Sequence, residues 1–332
     1  MSKVAVVILN WNGFKDTIEL FESLYVYERG CDYYLLDNGS TDDSISVLKE
    51  YFAKSSWNSE ICNLENFSLC SNGCNVKFVI SDKNYGFAIG NNQILKRIIN
   101  KYDYYILLNN DVILKESAIT KLVGYATANQ IDASSTKILR YSDNGIWYAG
   151  GKLNIFGERT YFNEKQISKY KNDFLHCTYI TGCLLCINNQ TLVDVGLLTE
   201  NFFHGEEDFQ YSYSLKKNKK KVGVLLNATI YHKAGSSSGK LPSHSVYSVH
   251  FTNRVVDKKL LYGKLKFFFW KRFYLTALFL KTWKLYGSFR QAREIIQVIK
   301  KYSKNDNVRC DVFKEIIAHK WKYSVQRKEV KK

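Results

Sequence analysis

The amino-acid sequence predicts an α/β fold, in which a mostly parallel sheet is flanked by helices and followed by a basic, aromatic-rich helical region at the C-terminal end. Two observations lead to this prediction. Before residue 110, short apolar runs alternate with amphipathic segments, a pattern typical of βα units with right-handed crossovers. At the other end, residues 257–332 contain 21 Lys and Arg against 6 Asp and Glu, which is +15 of the chain's +17.

Length and composition set the domain organisation. The chain has 332 residues, 45% hydrophobic and 15% aromatic, so it is globular and can hold one large core and a smaller region. We predict a domain at 1–256, made of halves 1–112 and 113–256, and a helical tail at 257–332. No signal peptide follows Lys3, so a cytoplasmic protein is expected.

Three apolar runs in the first 110 residues each precede a helical pattern and end on polar residues. The runs are 4–9, 33–36 and 76–80, and the helical patterns lie at about 15–25, from 43 onward, and up to about 100. Ser40 or Thr41 is placed to cap the second helix. Because neighbouring parallel strands end at one edge of a sheet, we expect their polar ends to converge on one cleft.

Two loops in this region differ in character. Residues 55–75 are polar without a clear period and predict a surface excursion, in which Cys62, Cys70 and Cys74 fit no tight metal-ligand spacing and are interpreted as free thiols. Residues 84–92 contain glycines before a helix, where backbone N–H groups can approach an anion. No Gly-x-Gly-x-x-Gly follows the first strand, which argues against a dinucleotide-binding fold.

A fourth apolar run, residues 104–108, leads to the strongest candidate site. It is uncharged and too short for a helix, which favours a strand covered on both faces. It ends at Asn109, Asn110 and Asp111, beyond the carboxyl end of the strand, where ligands bind in open α/β sheets. Asn109 and Asp111 could present two oxygens to one hard cation, since alternate residues of an extended chain project the same way. A loop turn is the alternative interpretation.

Four motifs, taken in order, resemble those of the family 2 glycosyltransferases of GT-A fold. The most similar branch is the rhamnosyltransferase-like one, which builds bacterial surface polysaccharides. The motifs are VVILNWNG at 6–13, DNGSTD at 37–42, NYGFAIGNN at 84–92 and LNND at 108–111. The resemblance covers about residues 3–255. It implies a nucleotide-binding sheet, with the nucleotide sugar held by residues 1–112 and the acceptor and catalytic residues in 113–256.

The resemblance implies roles for the polar strand ends of the first half. Asp37 reads the pyrimidine base, since a carboxylate can accept a hydrogen bond from ring N3. Asp111 holds a divalent metal. Many family members have aspartate where this chain has Asn109, so metal binding should depend more on Asp111, the diphosphate and a further protein ligand. The residues expected to contact the nucleotide are Asn10, Asn12, Asp37, Asn84, Gly86, Asn91, Asn109 and Asn110.

The second half supplies the catalytic candidates. Residues 202–208 resemble the family's aromatic-led Glu-Asp motif, which implies Asp208 as the catalytic base. The neighbouring Glu207 is the next candidate for this role. Inverting transfer needs a carboxylate that takes the proton of the acceptor hydroxyl. A solvated helix start, where acids are favoured, is the alternative interpretation. Residues 179–186 predict a strand, and the resemblance implies that this segment borders the acceptor. Gln210 stands where relatives often carry a second aspartate.

His232 is the candidate for the further metal ligand. With residues 233–237 it matches the family's His-x-x-Gly-x-Ser pattern, in which the imidazole reaches the metal or the diphosphate. Mg²⁺ and Mn²⁺ both suit carboxylate and phosphate oxygens, and an imidazole ligand favours Mn²⁺.

The basic tail has a distinct composition. Residues 258–285 mix Phe, Trp, Tyr and Leu with Lys and Arg, and no uncharged stretch is long enough to span a membrane. A basic, aromatic-rich helix suits the interfacial layer of an anionic membrane. A core-packed helix hairpin and a nucleic-acid patch are alternatives. No nucleic-acid-binding motif accompanies the charge, so no nucleic acid is expected as a partner.

Together these features predict a metal-dependent, inverting glycosyltransferase. It would move a sugar from a UDP- or dTDP-linked donor to a glycan or polyprenyl-linked acceptor in cell-surface polysaccharide synthesis, at the inner face of the cell membrane. A sugar-phosphate nucleotidyltransferase is a weaker alternative, since residues 10–13 are not a basic Gly-rich triphosphate loop. A non-catalytic binding protein on the same scaffold is the other alternative, because of Asn109 and Gln210.

Overall fold

The computed structural model describes residues 2–71, 73–154, 159–233 and 243–323, and it confirms the predicted α/β fold. The helices are α1 (Phe14–Tyr27), α2 (Ser44–Lys54), α3 (Phe87–Ile98), α4 (Ala118–Asn129), α5 (Glu164–Ile167), α6 (Asn189–Val195), α7 (Glu207–Lys217), α8 (Ser243–Leu261), α9 (Lys264–Tyr286), α10 (Phe289–Tyr302) and α11 (Cys310–Ile317). The strands are β1 (Val4–Asn10), β2 (Asp32–Asp37), β3 (Ser59–Asn63), β4 (Val76–Ile80), β5 (Tyr104–Asn109), β6 (Val112–Leu114), β7 (Ala133–Arg140), β8 (Ile146–Tyr148), β9 (Gly151–Leu153), β10 (Arg159–Tyr161), β11 (Phe174–His176), β12 (Leu184–Asn188) and β13 (Val222–His232).

Within the described residues, eleven strands form one sheet in the order β11-β13-β7-β12-β5-β1-β2-β4-β3, with β6 on β13 and β8 on β7. The strands β5, β1, β2, β4 and β3 are parallel to one another. The other side is mixed, because β12 runs antiparallel to both β5 and β7 while β13 runs parallel to β7. Two further strands, β9 and β10, form a separate antiparallel pair.

The parallel side of the sheet is buried on both faces. The side chains of Tyr33 and Tyr34 on β2 and of Tyr105 on β5 are fully buried, and α1 covers one face with Phe21. Burying a large apolar side chain stabilises the fold by about 1.5–3 kcal/mol. This explains why uninterrupted apolar runs form the central strands. The register places Asn10 opposite Asp37, so the two predicted site residues lie side by side at the carboxyl edge of the sheet.

Several local predictions are corrected by the structure. Residues 55–75 are not only a surface excursion, because they contain β3, which pairs with β4 at the edge of the sheet. Neither Ser40 nor Thr41 caps α2; its N-cap residue is Asp43, without a side-chain hydrogen bond. The strand predicted at 179–186 begins only at Leu184, because the residues before it form a loop. Where a strand begins and ends at the sheet edge, or beside an antiparallel partner, depends on tertiary contacts that a sequence pattern does not show.

The chain divides into two compact units. The first contains residues 1–199 and 207–237, and the second contains residues 200–206 and 238–332. The predicted bounds at 256 and 257 fall inside α8, which is continuous from Ser243 to Leu261. The division into residues 1–256 and 257–332, which was inferred from composition, stays a prediction.

The second unit is helical and has its own core. Phe202 is buried with side chains of α8, α10 and α11, among them Val256, Val298 and Ile316. One face of α9, which includes Leu275 and Leu278, is buried in a second cluster of the unit. Among the described residues, no helix is both long and apolar enough to cross a membrane.

Candidate active site

A chain of hydrogen bonds ties together the ends of three parallel strands. Asn110 Nδ2 donates to Thr17 Oγ1 (3.0 Å), Thr17 Oγ1 donates to Asn10 Oδ1 (2.9 Å), and Asn10 Nδ2 donates to Asp37 Oδ2 (2.7 Å). Ser40 completes the chain, since its N–H donates to Asp37 Oδ1 (2.9 Å) and its hydroxyl to Asp37 Oδ2 (2.7 Å). Asn10 and Asp37 are fully buried. In this structure both therefore hold the loops after β1 and β2 in place.

Two asparagines connect three loops at this edge of the sheet. Asn12 Oδ1 accepts from the N–H of Thr41 (2.8 Å), which joins the loop after β1 to the loop after β2. Asn38 Oδ1 accepts from the N–H of Tyr85 (3.0 Å), and its Nδ2 donates to Asn84 Oδ1 (3.1 Å). Asn38 belongs to the quoted motif but was given no role from sequence. Its bonds show that it positions the 84–86 turn.

Glycine is required at two positions of these loops. Gly39 has a φ of +71°, and a Cβ there would lie 2.3 Å from the carbonyl carbon of Lys83. Gly86 has a φ of +78° and precedes α3. Both conformations disfavour a side chain, and at Gly39 the close approach excludes one. The loops after β2 and β4 can approach each other only because of these glycines.

Other predicted nucleotide residues lie nearby with different exposure. Asn109 and Asn110 are half-buried at the end of β5, and the N–H of Asn109 donates to Cys183 O (3.0 Å). Asn91 is buried, and its Nδ2 donates to Phe87 O within α3 (2.9 Å). Asn91 therefore supports the helix start, and its predicted contact with a nucleotide stays a prediction.

The structure brings together the two predicted metal ligands. His232 Nε2 lies 3.1 Å from Asp111 Oδ1, and both side chains are largely buried. The ring of Trp147 packs edge-on against His232, with 4.4 Å between ring centroids. His232 Nδ1 is buried and has no hydrogen-bond partner among the described residues. Gly235 and Ser237 of the sequence pattern lie outside the described residues.

The donor set of this pair suits a divalent cation. A carboxylate oxygen and an imidazole nitrogen can bind Mn²⁺ or Mg²⁺ when phosphate oxygens and water supply the other ligands. Within the described ranges, no group of three or more His, Cys, Asp and Glu could hold a metal ion. The residues present therefore fit a cation for which a phosphate-bearing molecule supplies the remaining ligands.

Asp208 has two polar neighbours that sequence reasoning did not single out. Tyr179 donates its hydroxyl proton to Asp208 Oδ2 (2.6 Å), and Arg159 Nη1 lies 3.5 Å from Asp208 Oδ1. Burial, followed by the negative charge of Asp208, raises the pKa of Tyr179 well above its ordinary value, so the hydroxyl stays protonated. The Asp208 side chain is 17% exposed and can be reached by a ligand. The sequence placed Tyr179 only in the segment 179–186 expected to border the acceptor and gave Arg159 no role, so their contacts with Asp208 are known from the tertiary structure alone.

The loop before β12 connects Asp208 to the Asp111 region. A Cβ on Gly182 would lie 3.7 Å from Asp208 Cβ and 3.3 Å from the ring of Phe87 at the start of α3. The next residue, Cys183, accepts the N–H of Asn109, and its thiol pKa is raised by burial and then by the charge of Asp111. The predicted catalytic, metal and nucleotide residues of the first unit thus converge on one edge of the sheet. Glu207, beside Asp208, is buried at the start of α7.

Comparison with known proteins identifies the class. The sequence model of glycosyl transferase family 2 matches residues 5–185, more than half of the chain. The chain belongs to this family and has the GT-A fold. No curated protein matches it by sequence.

Solved structures support the fold. GalNAc-T7 with UDP, GalNAc and Mn²⁺ is similar at a TM-score of 0.59 and 16% identity, over 81% of this chain and 50% of that one. The mannosyltransferase PcManGT from Pyrobaculum calidifontis, with GDP-Man and Mn²⁺, has a TM-score of 0.53 and 12% identity, over 79% and 65%. TarS of S. aureus has a TM-score of 0.50 and 14% identity, over 76% and 40%. The chain thus spans less than two thirds of each of these proteins.

Proposed function

We propose that the chain is a metal-dependent, inverting glycosyltransferase that transfers a sugar from a UDP- or dTDP-linked donor to a glycan or polyprenyl-linked acceptor. We place it in cell-surface polysaccharide synthesis, in the rhamnosyltransferase-like branch that its motifs resemble. The observation that carries the proposal is the convergence of the Asp111–His232 pair and of Asp208 on one edge of the sheet.

Asp208 is the proposed catalytic base. As the acceptor oxygen forms its bond to the anomeric carbon, the hydroxyl proton passes to the Asp208 carboxylate, and the bond from the anomeric carbon to the phosphate oxygen breaks. The Tyr179 hydroxyl holds one carboxylate oxygen at 2.6 Å and so orients the side chain. Attack from the face opposite the leaving group inverts the anomeric configuration.

The donor's diphosphate is proposed to lie beside Asp111 and His232. A divalent cation bound there would neutralise the charge that develops on the departing nucleoside diphosphate. UDP with Mn²⁺ and GDP-Man with Mn²⁺ are bound by two of the similar structures, which supports a nucleotide and a metal in this fold. Asn10, Asn12, Asn84, Gly86, Asn109 and Asn110 are proposed to shape the nucleotide pocket.

We also propose that the protein acts at the inner face of the cell membrane, where a polyprenyl-linked acceptor lies. Residues 257–332 carry +15 of the +17 net charge, which favours an anionic surface.

Thermal unfolding of the full chain with UDP, dTDP, GDP and ADP, each with and without Mn²⁺, tests the proposal. A ligand that binds only the folded state raises the melting temperature by mass action. We expect UDP or dTDP to stabilise the chain, and Mn²⁺ to increase the effect. A sugar-phosphate nucleotidyltransferase would instead respond to nucleoside triphosphate. The absence of any shift with all four diphosphates would contradict the proposal.

A further inference from the structure

Helix α9 exposes a row of large apolar side chains. Leu265 and Phe273 are 73% and 75% exposed, although leucine and phenylalanine are usually buried. We call the exposed large apolar side chains of this helix the α9 stripe. Its members are Leu265, Phe268, Phe269, Phe273, Leu280 and Trp283.

The spacing of the stripe puts it on one side of the helix. At 100° per residue, its six positions fall within an arc of about 140°, and a 23-residue helix is about 35 Å long. The opposite side is accounted for by the core of the second unit, where Leu275 and Leu278 are buried and Thr282 meets the hydroxyl of Tyr247 at 3.0 Å. The packing of the unit therefore explains one side of α9. Within the stripe it explains only Trp283, whose ring centre lies 5.6 Å from that of Phe289 in α10.

The charge around the stripe has one sign. Residues 258–293 contain ten Lys and Arg and no Asp or Glu. Lys266 and Lys284 are exposed at one edge of the stripe. Arg272 is exposed among the stripe side chains, with its guanidinium carbon 5.6 Å from the ring centre of Phe268. An anionic surface would pair with these positive charges.

We propose that the α9 stripe lies in the headgroup–acyl boundary of an anionic lipid bilayer, with α9 parallel to the membrane plane and its lysines at the phosphate level. A row of Phe, Trp and Leu flanked by lysine is the side-chain pattern of interfacial helices. A second copy of the chain is a poorer occupant, because two surfaces of the same positive sign repel each other. The inference rests on the membrane association proposed above and is independent of the transfer chemistry.

Sedimentation of the full chain with phosphatidylglycerol–phosphatidylcholine vesicles tests the inference without donor or acceptor. We expect the triple variant Leu265→Ser, Phe269→Ser, Phe273→Ser to lose at least about tenfold in affinity, including the binding that persists at high salt. The variant Lys266→Gln, Arg272→Gln, Lys284→Gln should lose about a hundredfold at 0.1 M salt, with a smaller loss near 1 M, where the Debye length is about 3 Å.

The matched control replaces exposed apolar residues of the first unit, Val26→Ser, Tyr161→Ser and Tyr213→Ser. It should bind vesicles like the wild type. Folding is checked by thermal unfolding: the stripe variant should melt like the wild type, whereas Leu275→Ala, on the buried side, should melt lower.

Three results would overturn the inference. Wild-type protein that ignores anionic vesicles at low salt removes the membrane as the partner, whatever its activity on nucleotide sugars. Vesicle binding that the stripe variant retains assigns the contact to another surface. A wild-type dimer in light scattering that the stripe variant converts to a monomer, without vesicle binding, would make the stripe a contact between copies.

Discussion

His232 Nε2 lies 3.1 Å from Asp111 Oδ1, and the pairing of strands explains why these distant residues meet. β13 runs antiparallel to β6, with His232 opposite Val112, the residue that follows Asp111. The backbone confirms this proximity, since the N–H of Lys233 donates to Asp111 O (2.9 Å). The pair is therefore set by sheet register, which makes it a stable place for ligands.

We expect Asp111→Ala and His232→Ala each to weaken Mn²⁺-dependent binding of UDP or dTDP. Losing a hydrogen bond or ligand to a charged group costs about 1.5–3 kcal/mol, which is roughly ten- to a hundredfold in affinity. Calorimetric titration with Mn²⁺ and with EDTA measures the difference. His176→Ala is the matched control, because His176 is exposed on β11 and should bind like the wild type. Unchanged metal-linked affinity in Asp111→Ala would remove Asp111 from the site.

Asp208→Asn should keep the affinity for the nucleoside diphosphate and lower kcat by about 10²–10⁴, since an amide preserves the shape but accepts no proton. Tyr179→Phe should lower kcat less, because it removes the hydrogen bond to Asp208 and leaves the carboxylate. Steady-state rates and titrations on the same preparations separate the two effects. If Asp208→Asn transfers sugar at nearly the wild-type rate, the base lies elsewhere, and Glu207 is the next residue to replace.

Replacement of Asp37 tests whether this residue selects the nucleotide base. The wild type should bind UDP or dTDP several-fold better than ADP or GDP, since an unpaired buried polar group costs about 1–3 kcal/mol. Asp37→Asn should reduce that ratio in competition titrations, and Asp42→Asn on the same loop should not. Asp37 is fully buried and hydrogen-bonded to Asn10 and Ser40, so its role could instead be purely structural. A structural role predicts a different outcome for Asp37→Asn. Affinity for all four nucleotides would then fall by one factor, and Asp37 would not read the base.

The Glu206–Arg254 ion pair should stabilise the second unit. Glu206 is only 1% exposed and has a φ of +71°, and Arg254 Nη2 and Nε lie 3.0 and 3.1 Å from its carboxylate. Arg254→Met should lower the free energy of unfolding by about 3–5 kcal/mol, because it removes the guanidinium that pairs with the buried Glu206 carboxylate. Adding Glu206→Gln should restore part of the loss in urea unfolding. Lys54→Met, which breaks the exposed pair with Glu50, should have no measurable effect.

The sequence predicts the parallel side of the sheet well because its signals are local. Apolar runs at β1, β2, β4 and β5 are each followed by polar residues, and the structure has strands there with their ends in register. The same locality predicted the polar edge at Asn10, Asp37 and Asp111 as the candidate site.

Long-range contacts explain what the sequence could not predict. β12 joins the sheet between β5 and β7 and runs against both, and no local pattern encodes that direction. Arg159 reaches Asp208 from β10, far away in the chain. Residues 200–206 precede Asp208 in sequence but belong to the second unit, where Phe202 is part of its core. The roles assigned to the site residues by resemblance stay predictions.

The most direct test of the central claim is the release of nucleoside diphosphate from a panel of UDP- and dTDP-sugars by the full chain with Mn²⁺ and a polyprenyl-phosphate or glycan acceptor. The account predicts release from at least one donor by the wild type and by His176→Ala, no release without metal, and loss of release in Asp208→Asn and Asp111→Ala. A wild type that binds nucleoside diphosphate tightly but consumes no donor would contradict it and would identify a non-catalytic binding protein on a glycosyltransferase scaffold.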